Sequence, residues 1–206
     1  MATHSSNEYL TKTQMIGNAK YIIVYFEDLG WTTQAIAAML GNMQRESTIN
    51  PGLWQNQDEG NTSLGLGLVQ WTPATKLINW CEDWGLDYLS IEAQCMRIYY
   101  EFENGLQWIP TSAFPESFEE FSESEEDVAY LTECFLKNYE RAGVEALDER
   151  IENAEYWEYY IEHWVRPDEG GDDSDDPIEP EPEPVPIKKT KSHYKFHLFK
   201  KRRRSF

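Results

Sequence analysis

Charge is segregated along this chain, and that limits how much of it can form a packed core. Residues 167–187 contain nine acids and no bases, whereas residues 188–206 contain nine bases and no acids. Because these charges cancel, residues 1–166 hold 28 acids and nine bases and carry the whole net charge of −19. A segment of that length is one ordinary domain. We therefore expect a single domain in residues 1–166, an acidic, proline-rich linker in residues 167–187 and a basic, aromatic tail in residues 188–206.

The acidic balance excludes several classes of function. A body with this net charge repels phosphate polyanions, so residues 1–166 are not expected to bind nucleic acid. The longest apolar run, Tyr21–Phe26, has six residues, far fewer than the roughly 20 that span a bilayer. We expect no transmembrane segment. The first fifteen residues are polar, so we expect no secretory signal either.

Metal and thiol chemistry have little support in the sequence. The cysteines lie within helical patterns at no disulfide-framework spacing, and we interpret Cys81, Cys95 and Cys134 as small buried hydrophobes. His193 and His197 have helical metal-ligand spacing, but two ligands among lysines do not make a site. We expect no metal and no cofactor. A thiol protease stays open, because sequence alone does not show which side chains meet in space.

Apolar periodicity predicts a mainly α fold. Apolar residues at steps of three and four indicate a helix over residues 14–29. Thr32 can cap a second helix, in which almost every residue over 35–43 is apolar or small, so that helix should be buried on most sides. An Asn-Pro-Gly turn then ends it. Glu46 and Ser47 therefore lie at the C-terminal end of a buried helix.

The segment of residues 53–71 has a different pattern, with short pieces separated by glycines, and it predicts a small β-hairpin or loop lobe. Thr72 and Pro73 can cap and open the next helix. Further helical patterns cover residues 73–84, 88–104, 125–139 and 146–164, with a loop and a short helical turn in residues 107–124. The predicted fold is a helical bundle with a small lobe beside a cleft.

Glu46 is the strongest candidate for a catalytic group, and Trp54 and Trp71 can roof a cleft beside it. Glycosidic cleavage needs a carboxylic acid that protonates the leaving oxygen, and a poorly hydrated site keeps such a group protonated near neutrality. Glu46→Gln should then preserve or slightly raise stability, because a charged group in an apolar cleft opposes folding. The alternative is a solvated glutamate beside Arg45.

A second segment, Gly67-Leu68-Val69-Gln70, strengthens the catalytic interpretation. A helix-terminal Glu-Ser followed by Gly-Leu-x-Gln resembles the signature of the lysozyme superfamily, in particular of goose-type lysozymes and soluble lytic transglycosylases. The closer resemblance is to the phage tail lysozymes, muramidase domains of tail tips, and it extends from about residue 14 to residue 164. The phrases that carry it are Gly41–Gln44, Ile49–Trp54, Gly67–Thr75 with Lys76-Leu77-Ile78, and Asn138–Gly143.

The resemblance implies an α+β lysozyme-like fold and roles for further residues. Ser47 would help to orient the acid. Gln70 and the backbone around Gly67 would bind the acetamido group of the sugar. Tyr139 stands where transglycosylases carry a tyrosine that contacts the acid or the substrate, although a core aromatic residue is nearly as good an interpretation.

The second catalytic group is left open by the sequence. Asp58 and Glu59 are the only acids between Glu46 and the next predicted helix, and we place Asp58 first. Both also suit a turn. A separation from Glu46 of about 5 Å would give retention and roughly 6.5–9.5 Å inversion. A lytic transglycosylase needs only the acid, because the 6-hydroxyl of the sugar attacks.

The resemblance implies a phage enzyme that cleaves the β-1,4 bond between N-acetylmuramic acid and N-acetylglucosamine in peptidoglycan. Its expected place is the virion tail, for local wall digestion during infection. An endolysin acting from the host cytoplasm, a catalytically silent structural tail component and an acidic mimic of DNA are alternatives. Phage tail lysozymes often precede a metallopeptidase domain, for which this chain has no room, so peptide-bond cleavage is not expected.

The basic tail, residues 188–206, has three interpretations. Tyr194, Phe196 and Leu198 alternate with polar residues as in a strand with one apolar face, which could add to the sheet of a virion protein. The cluster Lys200–Arg204 could instead be attracted to an anionic wall polymer, membrane surface or nucleic acid. A solvated tail that folds back on the acidic body is the third.

Overall fold

The computed structural model describes residues 2–166 and 176–177. Within these residues the chain forms a helical bundle, which confirms the predicted mainly α fold. The α-helices are α1 (Lys12–Glu27), α2 (Thr33–Ser47), α3 (Thr75–Trp84), α4 (Ile91–Glu103), α5 (Phe118–Ser122), α6 (Val128–Phe135) and α7 (Leu147–His163). A 3₁₀-helix covers Gln55–Gln57 and a π-helix covers Leu136–Glu140. The basic tail and its predicted strand lie outside the described residues.

The central helix of the bundle is α2. The hydroxyl of Thr32 accepts a hydrogen bond from the Ala35 N–H at 3.2 Å, so the predicted cap is present. Every residue over 35–43 is buried, and α2 packs against α1, α6 and α7. Gly41 allows a close approach to α7, because a Cβ there would lie 2.6 Å from the Arg150 carbonyl oxygen and 2.7 Å from the Ala154 Cβ. The helix ends at Ser47, and the C-cap residue Thr48 has a left-handed backbone.

The predicted helix over residues 125–139 differs in its last turn. The α-helical part ends at Phe135 and the π-helix follows, because polar groups of Asn138 bind the preceding loop. The Asn138 carbonyl accepts from the Ile109 N–H at 2.9 Å, and its side-chain amide donates to the Phe114 carbonyl at 2.9 Å. Arg141 then takes a left-handed conformation, with φ of 52°. This geometry turns the chain sharply just after Glu140.

The lobe formed by residues 53–72 has no strand in the part of the chain that the structure describes. It consists of turns, the 3₁₀-helix and two isolated antiparallel bridges, which join Leu66 to Trp54 and to Trp71. Left-handed backbone recurs within it, for example at Gly67 and Gln70, and interrupts regular pairing. The loop form of the predicted lobe is therefore the one present.

Thr72 does not cap α3, contrary to the sequence prediction. Its hydroxyl donates instead to the carbonyl of Gln70 at 2.9 Å, within the turn that closes the lobe. The helix begins only at Thr75, and no side chain caps it. None of the helices in residues 2–166 is long and apolar enough to cross a membrane.

In the described part of the acidic segment, residues 176–177, Asp176 contacts the folded body. Asp176 accepts a hydrogen bond from the Tyr160 hydroxyl at 2.7 Å and forms an ion pair with Lys20 at 2.8 Å. The side chain of Lys20 is only 6% exposed, so this contact lies against a buried base. At this position, therefore, the linker contacts α1 and α7.

Candidate active site

A cleft of about 660 Å³ lies between the end of α2, the lobe and the segment that follows the π-helix. Four of the nine bases in residues 1–166 line it, against two acids. The charged lining residues are Arg45, Glu46, Lys76, Glu140, Arg141 and Arg150. The cleft thus has a local charge opposite to that of the acidic body.

Glu46 lies in the last turn of α2 and forms an ion pair with Arg150. The Nη2 of Arg150 donates to Oε1 of Glu46, and the two side chains are 2% and 18% exposed. The guanidinium is fixed from behind, because its Nη1 donates to Asn42 Oδ1 at 3.0 Å and its Nε donates to the Glu145 carbonyl at 2.7 Å. Glu46 is therefore held in a defined place on the cleft wall.

Ser47 fastens the end of α2 to the lobe. Its buried hydroxyl donates to the Leu68 carbonyl at 3.0 Å and accepts from the Asn50 N–H at 3.2 Å. These contacts are with backbone groups and not with the carboxylate of Glu46. Ser47 fixes the helix end relative to the Gly-Leu-x-Gln loop.

Gly67 and Gln70 shape that loop. Gly67 has φ of +84°, and a Cβ there would lie 2.4 Å from Oε1 of the buried Gln94. Gln94 in turn accepts from the Leu68 N–H at 2.8 Å. The amide of Gln70, which lines the cleft, donates to the carbonyls of Leu53 and Gly67, each at 3.0 Å. Gly67 therefore leaves room for Gln94 to bind the loop from the core side, while Gln70 lines the cleft.

Trp54 and Trp71 both line the cleft, while Tyr139 lies in the core behind it. The Trp71 indole donates to Glu101 Oε1 at 3.1 Å, and the Tyr139 hydroxyl donates to Glu101 Oε2. Arg97 forms an ion pair with Glu101 at 2.9 Å. Burial raises the pKa of Glu101 although these donors oppose the shift, and burial also raises the pKa of Tyr139. Tyr139 thus contacts a core carboxyl group and not Glu46.

Asp58 and Glu59 are exposed and are not among the residues that line the cleft. The Oδ2 of Asp58 accepts a hydrogen bond from the Asn61 amide at 2.7 Å, which is the local turn chemistry that the sequence also suggested. The structure therefore does not bring either of them together with Glu46.

Glu140 is a cleft residue that the sequence analysis missed. It lines the cleft as the last residue of the π-helix, and its Oε1 is buried with no hydrogen-bond partner among the described residues. Burial raises its pKa well above the usual value, and the negative charge of Glu46 adds to the shift, against the opposing charges of Arg150 and Arg141. Its position beside Tyr139 in the Asn-Tyr-Glu-Arg-Ala-Gly phrase was the available signal.

The cysteines give no support to a thiol enzyme. Cys81, Cys95 and Cys134 are all buried and free of disulfides. Burial raises the pKa of Cys81 to about 11 and that of Cys134 to about 12, so these groups are neutral thiols near pH 7. In residues 2–166 and 176–177, no group of three or more His, Cys, Asp or Glu side chains could hold a metal ion.

A helical bundle whose central buried helix carries a glutamate in its last turn, in one cleft with the Gln of a Gly-Leu-x-Gln loop, has the features of a lysozyme-like protein. The family of phage tail lysozymes matches residues 17–161, and the chain belongs to this family. It is also similar to morphogenesis protein 1 of Bacillus phage B103, with 50% identity over 154 residues. That match covers 75% of this chain but 42% of the phage protein, so the chain spans less than half the length of this relative.

Proposed function

We propose that this chain cleaves the β-1,4 bond between N-acetylmuramic acid and N-acetylglucosamine in peptidoglycan, with Glu46 as the group that protonates the leaving oxygen. The position of Glu46 carries the proposal: its carboxyl group is fixed by Arg150 on the wall of a cleft. A general acid must lie within hydrogen-bond reach of the oxygen it protonates, and a fixed carboxyl group on a cleft wall meets that need.

The remaining lining suits a glycan strand of the cell wall. Trp54 and Trp71 give the cleft apolar aromatic surface, and Gln70 lies beside them. The four bases of the lining complement the carboxylates of the peptide stems that muramic acid carries. The acidic body repels an anionic polymer from most of the surface, whereas the basic cleft attracts it. The charge distribution therefore favours an anionic polymer that binds within the cleft.

Transglycosylation is a second candidate reaction. The geometry favours it over a hydrolysis in which Asp58 activates the water. In both reactions the leaving oxygen takes a proton and the anomeric C–O bond breaks. In hydrolysis a water oxygen bonds to the anomeric carbon, whereas in transglycosylation the sugar's 6-hydroxyl does so. Asp58 is exposed and pairs with Asn61, so it is not placed to activate that water.

The setting we propose is a phage particle, in which the chain digests the wall locally during infection. The family supports a phage protein, and the similar protein of Bacillus phage B103 is named for morphogenesis. Residues 1–166 would form the catalytic unit, residues 167–187 a linker and residues 188–206 an attachment to a virion or tail protein. An endolysin for host lysis would use the same cleft, and a silent structural component would need no activity.

Mass spectrometry of purified peptidoglycan after incubation with the chain tests the proposal. Reducing muramic acid ends indicate hydrolysis, and anhydromuramic ends indicate transglycosylation. Glu46→Gln should abolish either product, whereas Glu155→Gln makes the same charge change at an exposed position of α7 and should leave the products unchanged. If the folded wild-type chain produces neither reducing muramic acid ends nor anhydromuramic ends, the proposed cleavage is wrong, and the structural role is the alternative that still stands.

A further inference from the structure

Glu140 is a charged residue of the cleft wall to which the proposed function gives no role in the reaction. It is the last residue of the π-helix, a form of helix that occurs mostly as single turns and frequently at functional sites. Arg141, directly after it, is left-handed and donates to the carbonyls of Gln107 at 2.6 Å and Asn138 at 2.7 Å. These bonds fix the backbone that presents Glu140 to the cleft.

The side chain of Glu140 has an unusual environment for a carboxyl group. Its Oε1 is enclosed and accepts no hydrogen bond from the described residues, although four bases line the same cleft. A charged carboxylate is costly when one of its oxygens is enclosed without a hydrogen-bond donor. A protonated carboxyl group avoids most of that cost. The neutral form is therefore the one that this environment favours.

We propose that Glu140 is the second carboxyl group of the active site and shares one proton with Glu46. This inference rests on the proposed function and adds the group that supplies Glu46 with its proton. The charged groups around Glu140 are Glu46 from α2, Glu101 from α4, Arg150 from α7 and the adjacent Arg141. Two carboxyl groups that repel each other release their protons in two separate steps, so the pair retains one proton over a wide pH range.

The reaction balances through this pair. The leaving oxygen takes a proton from Glu46 as the anomeric C–O bond breaks. The water or 6-hydroxyl oxygen then bonds to the anomeric carbon and releases its own proton, which returns to the pair. Glu140 acts through Glu46 and is a positioning residue for the proton. Its presence gives Glu46, which is paired with the Arg150 guanidinium, a neighbouring source of a proton.

The test is the pH profile of cleavage by Glu140→Gln, measured on soluble glycan fragments. Gln preserves the neutral shape but holds no exchangeable acid proton. We expect activity close to wild type at pH 5 and an alkaline limb that moves down by about one pH unit or more, equivalent to a tenfold loss on that limb. Glu155→Gln is the matched control and should preserve the wild-type profile.

Two outcomes would overturn the inference: an alkaline limb that stays where it is in wild type, and an equal loss of activity at every pH, which indicates a structural role. If Glu140→Gln does not fold, Glu140→Asp takes its place. That variant keeps a carboxyl group, but places it farther from Glu46. We expect its alkaline limb to lie between that of the wild type and that of an active site in which Glu46 has no second carboxyl group. An alkaline limb at the wild-type position would again count against proton sharing.

A second readout does not need activity. A carboxyl group whose pKa is raised by folding takes up a proton on folding, so it lowers stability as pH rises above the ordinary glutamate value. We expect the melting temperature of Glu140→Gln, relative to wild type, to rise between pH 4.5 and 8. A constant difference would overturn proton retention at Glu140. If the wild-type chain cuts no peptidoglycan, the proposed function fails, and this measurement still decides whether Glu140 holds a proton.

Discussion

Arg150 changes what Glu46 contributes to stability. Its guanidinium is almost fully enclosed, and its bonds to Asn42, Glu145 and Glu46 satisfy it. Removal of one partner from a buried ion pair leaves the other charge without compensation, and that penalty exceeds the net worth of the pair. The apolar neighbours of Glu46 in sequence gave no sign of this partner, because Arg150 lies 104 residues further along the chain.

Glu46→Gln should therefore reduce both activity and stability. Loss of a general acid costs about 10²–10⁴-fold in rate. We expect the free energy of unfolding to fall by about 1–3 kcal/mol, because Gln can accept from Arg150 but does not neutralise it. This expectation replaces the unchanged or higher stability inferred from sequence. Chemical denaturation measures it, with Glu155→Gln as the control for the loss of one acid, and a variant as stable as wild type would contradict it.

Asp58→Asn should leave activity within about twofold of wild type and stability within about 0.5 kcal/mol. The side chain is exposed and bonded within its own turn, so its negative charge has no partner in the cleft. Initial rates on soluble glycan fragments give the comparison. A loss of tenfold or more would mean that the lobe closes on the substrate and brings Asp58 to the reacting bond.

Sequence reasoning selected candidate residues whose signals are local. Glu46, Gln70, Trp54 and Trp71 each belong to a short phrase, and all four line the cleft. It failed where a role depends on a distant partner. Arg150 has no local pattern that separates it from the other charged residues of an acidic chain, and the phrase around Glu140 does not show that its side chain reaches the cleft. Only packing brings them to the end of α2.

At the scale of elements, the contact between α2 and α7 controls the site, because α2 carries Glu46 and α7 carries Arg150. The sequence predicted the burial of α2 and its Thr32 cap correctly, since both follow from local pattern. The π-helix was not predicted, because it results from the bonds of Asn138 with a loop more than twenty residues earlier. A periodicity search treats that turn as ordinary helix.

Gly41→Ala should destabilise the fold by about 1–3 kcal/mol. The added methyl group would lie 2.6 Å from the Arg150 carbonyl oxygen, a backbone atom that cannot rotate away, so α7 must shift. That shift moves Arg150 relative to Glu46, and activity should fall as well. Gly143→Ala is the control for stability, since a Cβ there meets nothing within 4 Å. Melting curves of the two variants that coincide would rule out this packing argument.

At the scale of the whole molecule, Asp176 joins the acidic segment to the body through Lys20 and Tyr160. The sequence predicted a self-repelling linker after Arg166, because a run of acids with prolines has no apolar surface to bury. It could not predict that one of these acids would reach a buried lysine. The complementary charge lies far away in the chain and has no motif around it.

Residues 1–166 alone should fold and cleave peptidoglycan, with a free energy of unfolding about 1 kcal/mol below that of residues 1–177. The Asp176 side chain is 37% exposed, so solvent screens its ion pair and keeps the contribution small. Asp176→Asn in the full chain should reproduce that loss, and high salt should reduce it. Denaturation of residues 1–166, residues 1–177, the full chain and its Asp176→Asn variant at low and high salt is the measurement. A shorter form that is folded yet inactive would place the catalytic boundary beyond Arg166.

The contact at Asp176 also limits how far the folded body can lie from residue 188. Residue 188, where the basic segment begins, lies 22 residues after Arg166 but only twelve after Asp176. At about 3.5 Å per residue, the greatest span shrinks from about 75 Å to about 40 Å. While Asp176 stays bound to Lys20, a particle that grips the chain at residue 188 keeps the cleft within that shorter radius. If residues 1–166 cut peptidoglycan, cleavage would be confined to the patch of wall beneath that particle, and release of the acidic segment from both Lys20 and Tyr160 would nearly double the radius.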